Sequence, residues 1–477
     1  MKEKIISIDQ GTSSTRSVLY DKKGQYIDSV QQEFDQLFPS EGWVEHNPDQ
    51  IWKTVIDTLS SLVQRNGLTS EEIASIGITN QRETTIVWNR KTGKPIYNAI
   101  VWQDRRTASF CEELVSYEKE IQKKTGLTID PYFSATKVNW ILSNVDGAAE
   151  LAKKGELLFG TVDTFLIWKM TEGQQHLTDV TNASRTMLFN IVDQEWDEEL
   201  LELFKIPRNM LPDVCDNVHN FGITNILGGD VSIGGVAGDQ QAALIGQCCF
   251  SPGEIKSTYG TGCFMIVNTG NKALFSKNKL LTTIGYRLNG ETSYALEGSI
   301  FVAGSAIQWL RDGLDFFENS SETEALAQKG SPESNVLVVP ALTGLGAPYW
   351  DAEARGAIFG LTRDTGREDI IKATLESIAY QTKDLVEAMK AAMLNAHRRR
   401  HLQLVPETLS VRDRMSRIMD RVRSGEYVDL KDCFDADEGR MGLVVSFIAV
   451  LELVRDGVLI MIQNDPSAPI HVKSKER

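Results

Sequence analysis

Two short segments rich in glycine and hydroxyl residues, about 250 residues apart, constrain the fold most. The first, DQGTSSTR at 9–16, lies between the β-prone runs 4–8 and 17–20. The second, STYGTGCFMIVN, places a Gly-Thr-Gly tip at 260–262 after the run 255–258. Each predicts a β-hairpin whose small tip residues let backbone amides approach an anion such as phosphate. The matched pair predicts an internally duplicated fold with a nucleotide in the cleft between two lobes.

The first tip also has a plainer interpretation, a tight turn led by an aspartate. It is not a Walker-type loop, because no Gly-Lys-Ser/Thr follows and no helix is expected to begin there. Elsewhere in the first 390 residues, strand-like runs such as 73–79 and 336–340 alternate with helical patterns such as 368–389. This alternation predicts α/β lobes.

Composition excludes several classes of protein. The chain has 477 residues, enough for two or three domains, and its net charge of −15 argues against a nucleic-acid binder. The start of the chain lacks the apolar core of a signal peptide, and the longest apolar run, 443–450, is far shorter than the roughly 20 residues of a membrane span. The six cysteines lack CxxC spacing, which predicts reduced thiols and a cytoplasmic location.

Two aspartates are candidates for phosphoryl-transfer chemistry, which needs a base for the accepting hydroxyl and a metal ion near the phosphates. Asp239, in GDQQAALIG, follows the β-like run 233–237 and precedes a helix-forming stretch. A carboxylate there faces a cleft in many folds, although a simple N-cap is the commoner role. Asp9, on the first hairpin, is the candidate to hold Mg²⁺ through water, unless it serves only the turn.

Polar residues after the predicted strand 73–79 suit a small polyol. Gln81, Arg82 and Glu83 put a fork of donors next to an acceptor, and polyol hydroxyls both donate and accept hydrogen bonds. A surface ion pair is an equally good interpretation of the same residues. Trp102, in AIVWQDRR, offers an apolar wall to the carbons of a sugar alcohol, although buried tryptophans more often belong to a plain core.

Over residues 1–390 a series of segments, in the same order, resembles the glycerol kinases of the FGGY carbohydrate-kinase family. The series includes DQGTSSTR, NQRET, WQDRR, YFSATKVNWIL, GDQQAALIG, TYGTGCF and GAIFGLT. The resemblance implies two actin-like (ribonuclease H-like) lobes that close on ATP and glycerol, with ATP-dependent formation of glycerol 3-phosphate. It also implies a homo-oligomer, and no nucleic acid or membrane partner is expected for this part.

The resemblance implies a role for each matching residue. Asp239 would be the general base, and Asp9 would organise Mg²⁺. The residues that would bind glycerol or enclose its carbons are Arg82, Glu83, Trp102, Tyr132, Asp239, Gln240 and Phe264. The residues that would contact ATP are Thr12, Ser13, Ser14, Arg16, Gly260, Thr261, Gly304 and Gln308.

The chain changes character at about residue 391, where arginine replaces lysine as the usual basic residue, as in AHRRRH at 396–401. The change indicates a join between sequences of different origin, or else a disordered basic linker. Glycerol kinases continue with a DGG-type loop that contacts adenine, and no DGG follows residue 390. We therefore expect an incomplete second lobe, an adenine site that lacks one wall, and impaired activity.

Residues 406–472 predict a small separate module. Apolar helical patterns at 409–423 and 440–456 precede short strands at 458–463 and 470–472, which NDPSAP joins. This order resembles the C-terminal winged helix of segregation and condensation protein A, a bacterial kleisin, and implies a protein partner.

The expected domains are a first lobe at 1–248, a partial second lobe at 249–390, a basic linker at 391–405 and the module at 406–477. Besides a working kinase, two alternatives stay open. One is an inactive kinase joined to a kleisin-like interaction domain, and the other is an artefactual fusion.

Overall fold

The computed structural model describes residues 3–351, 353–403, 411–422, 427–434, 439–463, 465 and 468–475. The chain divides into two compact units, Met1–Ala396 and His397–Arg477, which are described separately. Among the helices of the described residues, none has the length and hydropathy that a membrane crossing requires.

The larger unit begins with a lobe in which strands and helices alternate. Its strands are β1 (Lys4–Gln10), β2 (Ser14–Asp21), β3 (Tyr26–Glu33), β4 (Glu45–His46), β5 (Ile73–Asn80), β6 (Ile86–Asn89), β7 (Ala99–Ile100), β8 (Leu157–Gly160), β9 (Leu177–Asp179), β10 (Phe189–Asn190), β11 (Glu195–Trp196), β12 (Asp213–Cys215), β13 (Ile223–Thr224) and β14 (Val231–Gly238). Its helices are α1 (Pro48–Arg65), α2 (Ala108–Glu113), α3 (Glu118–Thr125), α4 (Ser134–Asn144), α5 (Ala148–Lys153), α6 (Val162–Met170), α7 (Val180–Ala183), α8 (Glu198–Leu203) and α9 (Asp239–Gly246).

The main sheet of this first lobe has the strand order β13-β14-β5-β1-β2-β3. The strands β1, β5 and β14 are parallel, with Gln10 and Gly238 both level with Asn80. Because parallel strands end at the same edge of a sheet, the segments that follow β5 and β14 emerge side by side. This edge carries the candidate site.

Apolar side chains hold α1 against this sheet. Ile51, Val55 and Leu59 recur at helical spacing on one face of α1 and are fully buried together with Ile6 and Ile8 of β1. Asn47 caps the amino terminus of α1, where its side chain accepts a hydrogen bond from the Asp49 amide at 2.9 Å. The helix therefore fixes the strands whose ends carry the site.

The second lobe of the same unit is built on an antiparallel sheet. Its strands are β15 (Ile255–Tyr259), β16 (Cys263–Gly270), β17 (Leu281–Leu288), β18 (Glu291–Ile300), β19 (Leu337–Val339) and β20 (Ala357–Phe359). Its helices are α10 (Gly304–Asp312), α11 (Thr323–Ala327) and the part of α12 (Arg367–Gln403) up to Ala396. The four-stranded sheet has the order β15-β16-β18-β17, and α12 packs on it through Leu385 and Met389.

Both predicted hairpins are confirmed. In the first, β1 and β2 pair with Gln10 opposite Thr15, and in the second, β15 and β16 pair with Tyr259 opposite Cys263. The predicted strand 73–79 and the predicted helix 368–389 are also present. Helix α12 continues to Gln403, so most of the expected basic linker 391–405 is helical and not disordered as far as it is described. Alanine, methionine, leucine and arginine favour helix there, and no glycine or proline intervenes before residue 406.

The smaller unit contains α13 (Val411–Arg421), α14 (Gly439–Arg455) and the short strands β21 (Val428–Asp429), β22 (Leu459–Ile462) and β23 (His471–Ser474). The strands form an antiparallel sheet with the order β21-β23-β22. Its small core includes Ile418, Val450 and Val472. The predicted helices and strands are present here, although positions 409–410 and 423 of the first helix and 464, 466 and 467 of the NDPSAP turn lie outside the described residues.

Candidate active site

A cavity of about 180 Å³ opens where the edge of the first sheet meets the second hairpin. It contains all seven residues predicted to bind a small polyol, and three of those predicted to bind a nucleotide. The residues that line it are Thr12, Gln81, Arg82, Glu83, Trp102, Gln103, Tyr132, Asp239, Gln240, Thr258, Gly260, Thr261, Gly262 and Phe264. Sequence positions far apart in the chain therefore converge on one small cavity.

Asp239 begins helix α9 directly after β14. Gly238 occupies the N-cap position, so the interpretation of Asp239 as a simple N-cap is wrong. Its Oδ1 accepts a hydrogen bond from the Gln240 amide at 2.7 Å, and its Oδ2 accepts one from Gln240 Nε2 at 3.0 Å. The side chain remains 37% exposed, which leaves the carboxylate accessible from the cavity.

Arg82 lies in the loop after β5 and is buried, so its interpretation as a surface ion pair is wrong. Its Nε is 3.4 Å from Asp239 Oδ1, and its two terminal nitrogens donate to Glu297 at 2.6 and 3.0 Å. Arg185 donates to Glu297 at 2.9 Å and to Glu83 at 2.6 Å. Two guanidinium groups and two carboxylates therefore form a buried and electrically balanced floor, which we call the Arg–Glu floor.

Electrostatics of this floor hold Glu297 ionised. Burial alone favours the neutral acid, but Arg185 and Arg82 outweigh it and lower the pKa of Glu297 to about 2. The bidentate contact between Arg82 and Glu297 fixes the plane of the guanidinium group. The Nε edge of Arg82 consequently faces Asp239 and the cavity.

Three aromatic rings enclose the cavity. The ring centroid of Trp102 lies 5.7 Å from that of Tyr132 and 6.0 Å from that of Phe264, in edge-to-face geometry. The indole nitrogen of Trp102 donates to Thr12 Oγ1 at 3.0 Å, which ties this wall to the first hairpin. Trp102 is therefore not a plain core residue. Burial raises the pKa of Tyr132, so its hydroxyl stays protonated and available to donate.

The nucleotide-binding candidates divide into two groups. Gly260 and Thr261 form the tip of the second hairpin, and their carbonyls accept hydrogen bonds from the amides of Gly304 at 2.9 Å and Ser305 at 3.1 Å at the start of α10. Thr12 of the first hairpin joins them around the cavity. The remaining candidates do not line the cavity, namely Ser13, Ser14, Arg16, Gly304 and Gln308. Of these, Ser13, Arg16 and Gln308 are exposed.

Asp9 lies within β1, opposite Arg16, so its interpretation as a turn residue is wrong. Burial raises the pKa of Asp9, and the negative charge of Asp239 raises it further. Two carboxylates that repel one another in this way attract a cation, and Mg²⁺ commonly binds through one or two carboxylates, waters and substrate phosphates. Among the described residues no cluster of three or more histidine, cysteine or acidic side chains forms a complete metal site. This donor set fits an Mg²⁺ ion that arrives with a nucleotide.

Sequence reasoning missed three functional candidates, Arg185, Glu297 and Lys256. Glu297 lies in the apolar strand segment YALEGSI, and a lone acid in such a run is a signal of a buried ion pair. Lys256 lies on β15 and donates through Nζ to Gln240 Oε1 and, at 2.8 Å, to Thr258 Oγ1. Arg185 has no comparable signal, because it stands among other polar residues in the segment NASRT at 182–186.

Comparison with protein families gives two adjoining matches. Residues 4–246 match the N-terminal domain of the FGGY family of carbohydrate kinases, and residues 255–410 match the C-terminal domain of that family. The second match continues past residue 390, where the motif resemblance was expected to end.

Individual proteins agree with these matches. The chain is 59% identical over 393 residues to a glycerol kinase from Marinomonas sp. (strain MWYL1), which covers 82% of this chain and 80% of that protein. Among solved structures, Plasmodium falciparum glycerol kinase with ADP superposes with a TM-score of 0.74 and 39% identity, over 82% of this chain and 79% of that one. A ligand-bound xylulose kinase from Lactobacillus acidophilus shares the fold, with a TM-score of 0.71 and 24% identity over 81% and 78% of the two chains.

Proposed function

This chain belongs to the FGGY family of carbohydrate kinases, and we propose that it transfers the terminal phosphoryl group of ATP to glycerol. The cavity carries this proposal. Its volume of about 180 Å³ is below the range of drug-sized ligand sites and suits a compact polyol. Its floor supplies donors and acceptors, its walls are aromatic, and the tips of both hairpins reach its rim.

We propose that glycerol lies between the Arg–Glu floor and the aromatic walls. Arg82 and Gln240 donate hydrogen bonds, Glu83 and Asp239 accept them, and Tyr132 donates through its hydroxyl. Trp102 and Phe264 cover the carbon atoms and exclude water. This set matches a ligand in which every carbon carries a hydroxyl group that both donates and accepts.

In the chemical step, Asp239 accepts the proton of the glycerol hydroxyl as the hydroxyl oxygen bonds to the γ-phosphorus of ATP. The bond from that phosphorus to the bridging oxygen breaks, and ADP leaves with the electron pair. Backbone amides at Thr261 and Thr12 cradle the phosphates, with Ser13, Ser14, Arg16, Gly260, Gly304 and Gln308 as further nucleotide contacts. Asp9 would hold Mg²⁺, which neutralises phosphate charge.

We also propose the finer domain division 1–248, 249–390, 391–405 and 406–477, with an incomplete second lobe. Relatives of 59% identity are matched over 80% of their own length, which supports the loss of some second-lobe elements. The adenine site then lacks a wall, and turnover is impaired.

The smaller unit carries a separate proposal, a winged-helix module that binds a protein partner. Its helices, its short strand and its terminal hairpin follow the order of that resemblance. An inactive kinase joined to such a module is the second candidate function, and the compact second unit favours it.

A cytoplasmic location is supported by six free cysteines, all of them at described positions. A homo-oligomer is proposed from family resemblance alone.

The test compares glycerol-dependent ADP release by the wild type, Asp239→Asn and the exposed control Asp146→Asn. We expect Asp239→Asn to lower kcat by about 10²- to 10⁴-fold, because an amide cannot accept the proton. Glycerol affinity, measured by calorimetry, should change by less than about tenfold, since the amide can still hydrogen-bond. Asp146→Asn should behave as the wild type.

Two outcomes would contradict this proposal. If the wild type binds glycerol but releases no ADP, the result favours the second candidate function, an inactive kinase. An Asp239→Asn variant with turnover near that of its parent would show that another group accepts the proton.

A further inference from the structure

Lys256 is a buried cation on an otherwise exposed strand. The side chain is 2% exposed, whereas the other residues of β15 are all exposed. Its ammonium group donates to Gln240 Oε1, to Thr258 Oγ1 at 2.8 Å and to the Phe264 carbonyl at 3.4 Å. An ammonium group has three hydrogens to donate, and each finds an acceptor here. The pocket around Lys256 therefore suits a charged ammonium group.

The contact with Gln240 determines which way the glutamine amide points. Because the amide oxygen accepts from Lys256, the amide nitrogen faces Asp239 and donates to its Oδ2 at 3.0 Å. A flipped amide would place its NH₂ group against the ammonium group, two donors face to face, and would leave Asp239 without its side-chain donor. Lys256 therefore sets the orientation of Gln240.

We propose that Lys256 is a positioning residue that holds the Gln240 amide and, through it, the Asp239 carboxylate in the orientation that glycerol requires. Lys256 does not line the cavity, so it acts through Gln240 and does not touch the substrate. This inference rests on the proposed function, because glycerol affinity is the quantity that reports the positioning.

Charged or titratable groups from four elements surround the ammonium group. Arg82 in the loop after β5, Asp239 on α9 and Glu297 on β18 are the charged ones. The fourth group is the thiol of Cys263 on β16, whose pKa is raised by burial, so it stays neutral. Burial, assisted by Arg82, lowers the pKa of Lys256 to about 8, so the group is largely charged at neutral pH. The charged ammonium group keeps three hydrogens, which it donates to Gln240, Thr258 and Phe264.

A double-mutant cycle tests the proposal by glycerol calorimetry on the full chain. The variants are Lys256→Met, Gln240→Ala and the double variant, with Lys272→Met as the matched control, an exposed lysine just after β16. We expect Lys256→Met to weaken glycerol binding by about tenfold in the wild type and less than about twofold in the Gln240→Ala background, because residues that act as one unit are not additive. Lys272→Met should bind glycerol as the wild type does.

The division of the effect between KM and kcat supplies a second measurement that a merely structural role would not reproduce. A misdirected Gln240 amide should raise KM for glycerol and lower kcat together in Lys256→Met, because the carboxylate that it orients both binds glycerol and accepts its proton. Lys256→Arg retains the charge and its donors and should come closer to the wild type in both values than Lys256→Met does. Lys256→Gln replaces the methionine variant in the cycle if the latter does not fold.

The positioning role is wrong if Lys256→Met weakens glycerol binding by the same factor in the wild-type and Gln240→Ala backgrounds. It is also wrong if Lys256→Met binds glycerol as tightly as Lys272→Met does. A wild type that binds glycerol without turnover contradicts the proposed function alone, since the binding cycle still reports on Lys256. A wild type that does not bind glycerol contradicts both.

Discussion

At the scale of single residues, Glu297 is the centre of the Arg–Glu floor. It accepts hydrogen bonds from Arg82 and Arg185, and all three side chains are buried. A buried ion pair stabilises little relative to an apolar pair, but removal of one partner leaves an uncompensated charge. The floor therefore depends on each member being present.

We predict that Glu297→Gln lowers the free energy of unfolding by about 3–5 kcal/mol, because two buried guanidinium groups then share one carboxylate. Urea unfolding of the full chain measures the change. Glu150→Gln is the matched control, since Glu150 pairs with Lys153 at 3.7 Å and both side chains are at least 70% exposed. That pair should contribute less than about 1 kcal/mol.

The pH dependence of this difference has a definite sign. The pKa of Glu297 is about 2 in the folded chain and therefore below its unfolded value. The stabilisation from its ionised form is complete above the unfolded pKa and disappears as pH falls through the folded one. The difference between the wild type and Glu297→Gln should shrink between about pH 4.3 and pH 2. A difference that is constant over this range would contradict the assignment.

At the scale of elements, local patterns predicted the two hairpins and the strand–helix junction at Asp239. A glycine-rich tip between β-prone runs and an aspartate between a strand and a helix are local features, so local rules suffice. The partners of Arg82 could not be predicted, because Glu297 lies 215 positions away and only the packing of the two lobes brings them together. The same limit applied to Lys256, whose role depends on a glutamine in the other lobe.

The second hairpin is held at its tip by the start of α10. The amide of Gly304 donates to the Gly260 carbonyl at 2.9 Å. A Cβ atom at Gly304 would lie 2.5 Å from that carbonyl oxygen, which is closer than any packing allows. The backbone must therefore move if any side chain is introduced there.

We predict that Gly304→Ala weakens ATP binding by at least about tenfold, which corresponds to 1.4 kcal/mol or more, and leaves glycerol binding nearly unchanged. The reason is that the displaced tip carries the phosphate-facing amides, whereas Asp239 and Arg82 lie on the first lobe. Calorimetry with each ligand measures both effects. Gly246→Ala, which would add a methyl group with no atom within 4 Å, is the control. Equal ATP affinity in the two variants would refute a role for this tip.

At the scale of the whole molecule, the kinase unit and the smaller unit have separate cores. Family similarity ends at residue 410, and the relatives extend beyond the matched region. The proposed loss of an adenine wall is thus a property of the whole chain and not of any single residue. It is tested by exchange of a segment.

We predict that replacement of residues 391–477 by the corresponding C-terminus of a related glycerol kinase raises ATP affinity by about 10- to 100-fold, because burial of one base face contributes about 1–3 kcal/mol. Glycerol affinity should stay the same, since the cavity lies within residues 12–264. Titration of both chains with ATP by calorimetry measures the effect. Equal ATP affinities would show that the present chain has no missing wall.

The Arg–Glu floor also sets the order in which this site can be redesigned. The two positive and two negative groups compensate one another. Removal of any one charge, at Arg82, Glu83, Arg185 or Glu297, therefore leaves an uncompensated buried charge and destabilises the protein. Phe264 carries no such constraint, because a change in the size of its ring alters only volume. Trp102 also donates to Thr12 Oγ1 at 3.0 Å, so its replacement removes a hydrogen bond to the first hairpin. A library that seeks larger sugar alcohols should therefore vary Phe264 first and keep the four floor residues unchanged.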